Sequence, residues 1–154
     1  IEFDILPRCR RANMGVLCYS PIMQGLLAGK FAGPDDVPED RARTRHFHRE
    51  RPQTRHGEAG AEEETFAAVD RVRAIAKACG QPMARLSLAW LLEQEGVISV
   101  IAGGRNADQA RRNAAAAEIA LPDGIGAELA DATEGLKRKL GPHADMWTAE
   151  GRLW

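Results

Sequence analysis

The sequence predicts an α/β fold in which parallel strands alternate with helices, and three observations support this prediction. A β-branched run, 98–101, lies between Gly96 and the pair Gly103 and Gly104, which indicates a strand of a parallel sheet buried on both faces. A second apolar run, 15–19, ends at Ser20 and Pro21. Between these runs lie two segments with apolar residues at helical spacing. The resulting order of strand, long loop, helix, helix, strand and helix is typical of parallel βα units.

The bulk composition excludes several classes of protein. The chain has 154 residues, a formal net charge of −1 and three cysteines. No apolar run approaches the roughly 20 residues that span a bilayer, and no signal-peptide pattern opens the chain. Cys9, Cys18 and Cys79 show neither metal-ligand nor disulfide-framework spacing. These observations favour a cytoplasmic protein with no membrane or nucleic-acid partner. Because Ile1 stands where an initiator Met is usual, we expect a piece of a longer protein.

The first sixty residues predict a short helix, a strand and a long connection. Pro7 limits the helix to its later part, and Asn13 and Gly15 end it. The strand over 15–19 precedes a compact turn over 23–31. The segment 31–60 is predicted to be a long basic loop, since 40–56 is rich in arginine and histidine and the length exceeds ordinary connections. Its histidines lack cysteine or acidic partners at fixed spacing, so we expect no metal site.

Three later segments predict helices with an apolar inner face. The first spans 61–79 and opens with three glutamates, the second begins at Pro82, and the third runs from about 125 to 140. Their predicted inner faces are, in chain order, Phe66, Val69, Val72 or Arg73, and Ala76; Leu86, Ala89, Trp90, Leu91 and Leu92; and Leu129, Ala132 and Leu136.

The turn at Gly103 and Gly104 is a candidate anion site. A helix is predicted over 107–117, with Asn106 as its N-cap. Free backbone N–H groups and the positive end of the helix dipole meet there, and Arg105 adds a full charge. The site suits a phosphate. The alternative is a glycine turn that serves only close packing.

Four stretches, in order along the chain, resemble the aldo-keto reductase family. Residues 16–31 read VLCYSPIMQGLLAGKF, where the family shows a variant of "aYSPLaqGLLtGky". Residues 86–92 read LSLAWLL and residues 100–105 read VIAGGR, which are similar to the family's "ALaWll" and "vIpGaR". Gln109 and Asn113 match its "QleeN" segment.

The resemblance implies the C-terminal part of a (β/α)8 TIM barrel that binds NADP(H) and reduces a small-molecule carbonyl substrate. It implies that residues 1–154 are a partial domain, with the basic loop 31–60 and a C-terminal tail, 141–154. The family's catalytic Asp, Tyr, Lys and His lie on earlier strands, so we predict no catalytic residue here and no activity for the chain alone. Its partner is then a missing N-terminal half or a second copy.

The same resemblance assigns cofactor contacts. Tyr19 is implied to stack on the nicotinamide, and Arg105 to pair with the ribose 2′-phosphate, which favours NADPH over NADH. Backbone N–H groups at Ser20, Gln24, Gly25 and Leu26 are implied to hold the pyrophosphate beside Lys30, and Gln109 and Asn113 to lie beside the adenine. Arg112 stands where many members have Glu. The full predicted set is Tyr19, Ser20, Pro21, Ile22, Gln24, Gly25, Leu26, Lys30, Gly103, Gly104, Arg105, Asn106, Gln109, Arg112 and Asn113.

The loop and the tail are expected to border this site. One of Arg41, Arg43 and Arg45 is predicted to reach a phosphate, and the alternative is a solvated, mobile loop. Trp147 is a candidate substrate contact and Trp154 adds apolar surface, with packing on the barrel wall as the alternative for both.

Two other functions fit the sequence. The first is a non-catalytic nucleotide-binding or regulatory half-barrel that associates with a partner chain. The second is an unrelated dinucleotide-binding domain, which is disfavoured because the GxGxxG fingerprint is missing.

Overall fold

The computed structural model describes residues 1–143 and 145–147, so Trp154 lies outside the described residues. The regular elements are α1 (Ile5–Arg11), β1 (Val16–Tyr19), α2 (Glu62–Ala78), α3 (Met83–Leu92), β2 (Val97–Ile101), α4 (Ala107–Ala114) and α5 (Ile125–Leu140). Short 3-10 segments lie at Met23–Ala28, Pro34–Asp36 and Ala115–Glu118.

Strands β1 and β2 form a parallel pair, as the sequence predicts. Val16 lies opposite Val97 and Tyr19 lies opposite Ile101, with one irregularity between Val16 and Leu17. Parallel strands need a long crossover, and here the chain supplies it through the 31–60 segment, α2 and α3. The pairing brings both strand ends, and the turns that follow them, to the same edge.

The prediction that the second strand is buried on both faces is wrong. The side chains of Leu17, Ile98 and Ile101 are 57%, 69% and 58% exposed. Helix α3 contacts β2, but alternate side chains of a strand point to opposite faces. Nothing in the described part of the chain covers the second face of this two-stranded sheet.

Helices α2 and α5 build most of the core. Phe66, Val69, Val72 and Ala76 are buried along α2, so the inner face includes Val72 and not Arg73. Leu129 and Ala132 of α5 are buried, whereas Leu136 is half-buried. Glu62, Glu63 and Glu64 occupy the first turn of α2, where carboxylates stabilise the positive end of the helix.

Three details of the helices correct the sequence expectations. Helix α1 already begins at Ile5, because Pro7 falls in its first turn, where a missing N–H costs no hydrogen bond. In α3, Leu88 is buried, whereas Leu91 is half-buried and Leu92 is exposed near the helix end. Helix α4 ends at Ala114 and tightens into the 3-10 segment.

The 31–60 segment has little regular structure but is well packed. Phe31, Val37, Ala42 and Phe47 belong to the same apolar core as α2 and α5. The alternative of a solvated loop is therefore wrong for this segment, because apolar side chains at intervals anchor it. No helix in the described part of the chain is long and apolar enough to cross a membrane.

Candidate functional site

A cleft of about 1050 Å³ lies where the two strands end. This volume is at the upper end of the range for ligand sites, about 300–1,000 Å³. Its walls come from the turn after β1, the 31–60 segment, α3, the turn after β2, α4 and the tail. The residues that line it are Ser20, Pro21, Ile22, Gln24, Gly25, Ala28, Lys30, Asp40, Arg41, Arg43, Pro82, Ala84, Arg85, Ile101, Gly103, Gly104, Arg105, Gln109, Arg112, Asn113, Ala115 and Trp147.

The structure brings together all but three of the predicted cofactor-binding residues. Tyr19 ends β1, and its ring is 70% exposed beside the cleft. The side chain of Leu26 is buried in the core. Asn106 is the predicted N-cap of α4, and its side chain accepts a hydrogen bond from the Gln109 N–H at 2.9 Å.

The turn after β1 has an unusual backbone. Ser20, Met23 and Gln24 have positive φ angles, and Gly25 follows at φ +105°. A Cβ on Gly25 would lie 3.5 Å from both the Arg41 guanidinium and the Phe31 ring, so glycine suits both the conformation and the space. The Gln24 Oε1 atom is buried without a hydrogen-bond partner among the described residues, which leaves an acceptor in the cleft wall.

The turn after β2 is held by the helix that follows it. Gln109 Oε1 accepts a hydrogen bond from the Arg105 N–H at 2.8 Å, and Asn113 Nδ2 donates to the Gly103 carbonyl at 2.9 Å. A Cβ on Gly104 would lie 3.2 Å from the Ala110 nitrogen, so the turn approaches α4 closely. The amides of Gln109 and Asn113, predicted beside an adenine, thus fix the turn that carries Arg105.

The charge of the cleft is strongly positive. The described lining residues include six cations and a single carboxylate, Asp40. None of these cations forms a salt bridge with a described residue. Clustered uncompensated cations in a concave site focus a field that attracts anions. The cations are Lys30, Arg41, Arg43, Arg85, Arg105 and Arg112.

The three loop arginines have different environments. Arg41 and Arg43 line the cleft, and the Arg43 guanidinium lies over the Trp147 ring, 5.1 Å from its centroid. Arg45 is buried away from the cleft, with its Nε atom 2.8 Å from Glu58 Oε1. Because Arg45 forms this ion pair inside the protein, only Arg41 and Arg43 of the three predicted arginines remain candidates for phosphate binding.

The sequence hypothesis missed the wall that α3 supplies. Arg85 lines the cleft, and its Nε and Nη2 atoms donate to the Ala115 carbonyl. One signal was available, because Arg85 is the only charged residue of the mostly apolar helix α3.

The cleft provides groups that can bind a ligand but few side chains that could act as a general acid or base. No histidine or cysteine stands among the described lining residues. Burial raises the pKa of the nearby Cys18 thiol in β1, so it stays protonated. No group of three or more His, Cys, Asp or Glu residues in the described ranges is arranged to hold a metal ion. The arrangement thus suits a ligand with several negative charges.

Sequence and structure comparisons associate the chain with one family. The sequence model of the aldo/keto reductase family matches residues 2–133. An NADP(+)-named aldo-keto reductase of Schizosaccharomyces pombe is 30% identical over 137 residues, which is 86% of this chain and 37% of the relative. An NADH-specific methylglyoxal reductase of Escherichia coli is 31% identical, over 90% of this chain and 39% of the relative.

A solved structure is also similar. A glycerol dehydrogenase of Gluconobacter oxydans aligns with a TM-score of 0.65 and 27% identity, covering 88% of this chain and 38% of that one. The chain thus spans about two fifths of the length of these proteins. The shared fold is the TIM barrel, of which the two parallel strands and their helices are a part.

Proposed function

The chain belongs to the aldo/keto reductase family, and on this premise we propose that it supplies the NADP(H)-binding part of a carbonyl reductase. The longer protein transfers hydride between the nicotinamide and an aldehyde, ketone or alcohol. The observation that carries the proposal is the cleft in which the turns after β1 and β2 meet among uncompensated cations.

The residues present fit a phosphorylated dinucleotide. The positive-φ turn at Gln24 and Gly25 allows close backbone approach to a pyrophosphate, with Lys30 and Arg41 as adjacent charges. Arg105 lines the cleft just before α4, and it is its backbone N–H that bonds to the Gln109 side chain, which leaves the guanidinium available to a ligand. A planar guanidinium forms paired, charge-assisted hydrogen bonds with a phosphate, so Arg105 is assigned the ribose 2′-phosphate.

When bound, the dinucleotide supplies the hydride. The role of this chain would be to orient the cofactor: the exposed Tyr19 ring beside the cleft would cover one face of the nicotinamide and leave the opposite face open to the carbonyl carbon. The proton for the carbonyl oxygen must come from an acid of suitable pKa, which the described cleft residues do not offer. We therefore assign proton transfer to residues outside this chain, and we predict no turnover by the chain alone.

The test is a comparison of NADPH and NADH binding, followed by the quenching of tryptophan fluorescence. We expect Arg105→Ala to weaken NADPH binding by about tenfold or more, since a charged hydrogen-bonding group is lost. NADH lacks the 2′-phosphate, and its binding should change little.

Arg111→Ala is the matched control. Arg111 lies on α4, the helix that follows Arg105, pairs with Asp108 on the surface and is not among the described lining residues of the cleft. The Arg111→Ala variant should bind NADPH and NADH with the same affinities as the unaltered chain. Equal losses for NADPH and NADH in Arg105→Ala, or equal effects of the two substitutions, would contradict the assignment of Arg105.

A second function is favoured by the open face of the sheet. Leu17, Tyr19, Ile98 and Ile101 expose apolar surface, so the chain is also suited to act as a non-catalytic nucleotide-binding or regulatory half-barrel on a partner chain. Reductase activity distinguishes these two functions. A part of a carbonyl reductase should become active when it is joined to a complementary half-barrel, whereas a non-catalytic half-barrel should remain inactive.

A further inference from the structure

Arg45 joins three separate segments of the chain. Its side chain is 6% exposed, and its Nε atom lies 2.8 Å from Glu58 Oε1. Its Nη2 and Nη1 atoms donate to the carbonyls of Leu140 and His143, at 2.8 and 3.2 Å. Its backbone N–H donates to the Met146 carbonyl at 2.8 Å. The loop, the end of α5 and the tail are therefore connected through one residue.

Only arginine can make this set of contacts. The guanidinium presents donors on three nitrogens in a rigid plane, whereas the lysine ammonium is a single point on a flexible stem. The Leu140 carbonyl closes α5, where carbonyls lack helical partners and a cation is favourable. Arg45 satisfies this helix end and holds the tail against the loop.

The tail then reaches the cleft. Trp147 directly follows Met146, lines the cleft and lies under the Arg43 guanidinium. Arg43 is two residues before Arg45, and its Nε atom is buried without a hydrogen-bond partner among the described residues. The Arg45 side chain holds the end of α5 and the start of the tail through the Leu140 and His143 carbonyls, and its backbone N–H holds Met146. Together these contacts set the position of Trp147 beside Arg43.

We propose that Arg45 is a positioning residue that fixes Trp147 and Arg43 as one wall of the cofactor cleft. The identity of the ligand rests on the proposed function, but the positioning does not. A wall fixed before binding spares the ligand the cost of ordering the tail. Arg45 therefore increases affinity for the dinucleotide without contacting it.

The experiment uses Arg45→Lys, which keeps the positive charge but loses the planar guanidinium and its several N–H donors. Glu58→Ala is a second variant, because it removes one partner of Arg45 from a partly exposed position and is less disruptive to folding. Arg51→Lys is the matched control: Arg51 lies in the same loop and pairs with Glu62 of α2, remote from the tail contacts. Each is made with Trp147 and with Trp147→Phe, so that the signal of Trp147 is obtained by difference.

Two readouts are measured: the acrylamide quenching of Trp147 without ligand, and the Kd for NADPH. We expect Arg45→Lys and Glu58→Ala to increase the quenching of Trp147 and to raise the Kd by about two- to tenfold, the equivalent of one hydrogen bond. Arg51→Lys should change neither. In the Trp147→Phe background, the effect of Arg45→Lys on the Kd should be reduced.

The outcomes separate the two proposals. Unchanged quenching of Trp147 in both Arg45→Lys and Glu58→Ala would overturn the positioning role, whatever the cofactor. A changed quenching with no NADPH binding by the unaltered chain would support the positioning role and contradict the proposed cofactor. An equal loss of affinity with and without the Trp147 ring would show that Arg45 acts by another route.

Discussion

His46 is an ionisable side chain held in the interior of the 31–60 segment. Its Nδ1 atom lies 2.9 Å from the Thr44 hydroxyl, and burial and then the charge of Arg45 lower its pKa from 6.5 to about 4. The folded chain therefore keeps this imidazole neutral at pH values where an unfolded chain protonates it. His56 is also buried in this segment, and its Nε2 atom lies 3.1 Å from the Thr44 carbonyl oxygen.

We predict that His46 makes the chain less stable as the pH falls from 6.5 towards 4. In this interval the unfolded chain gains a proton at His46 and the folded chain does not, so stability is lost on acidification, and this His46 contribution to the loss is complete below pH 4. The shift corresponds to roughly 3 kcal/mol over the whole interval. Urea unfolding across this pH range, compared between the unaltered chain and His46→Gln, measures it.

The carboxylates do not mimic this effect, because they act at lower pH. The pKa of Glu64 is lowered by a backbone hydrogen bond and by Lys139, and that of Glu134 by Arg138 and Lys137. Both contribute stability that is present above 4.5 and is lost only as the pH falls below that value. Parallel stability curves for the two chains between pH 4.5 and 6.5 would contradict the assignment to His46.

At the scale of the element, the 31–60 segment depends on one glycine at its end. Gly60 has φ +78°, and a Cβ there would lie 2.3 Å from the Phe47 carbonyl oxygen. The neighbouring Ala61 N–H donates to the His46 carbonyl, so the end of the segment contacts its middle at this point. Both the conformation and the contact exclude a side chain.

We predict that Gly60→Ala lowers the free energy of unfolding by roughly 2–4 kcal/mol, since it adds backbone strain to a clash with main-chain atoms. Gly57→Ala is the control, because a Cβ at Gly57 meets no atom within 4 Å and its φ is ordinary. It should change stability by less than about 0.5 kcal/mol. Equal denaturation midpoints for the two variants would refute the role of Gly60.

The elements also show what sequence patterns can and cannot predict. Helical spacing identified α2 and its buried Phe66, Val69 and Ala76, because in a long amphipathic helix the buried positions recur in the sequence at the helical period. The motif residues around Gly25 and Gly103 identified most of one cleft. Arg41, Arg43 and Arg45 could not be distinguished, since their environments depend on Glu58 and on the tail, far away in sequence.

At the scale of the whole molecule, the sheet is the part that lacks neighbours in the described chain. Helices α2 and α5 pack on each other, and α3 contacts β2, but the described chain contributes only two strands. A pair of strands has two open edges and, here, an uncovered face. The sequence predicted this face as buried because β-branched runs are typical of closed parallel sheets, which are covered on both sides.

We predict that the chain alone self-associates through the open sheet face that Leu17, Tyr19 and Ile101 form. Leu17 is 57% exposed, so Leu17→Lys should leave the fold intact while it removes apolar surface from this face and adds charge. Sedimentation velocity across a dilution series should then show that this variant is monomeric at concentrations where the unaltered chain associates. Leu92→Lys, at the exposed end of α3 and off the sheet, should leave the association as it is. If both variants associate as strongly as the unaltered chain, the open face is not the contact, and the exposed apolar residues of α1 are to be tested next.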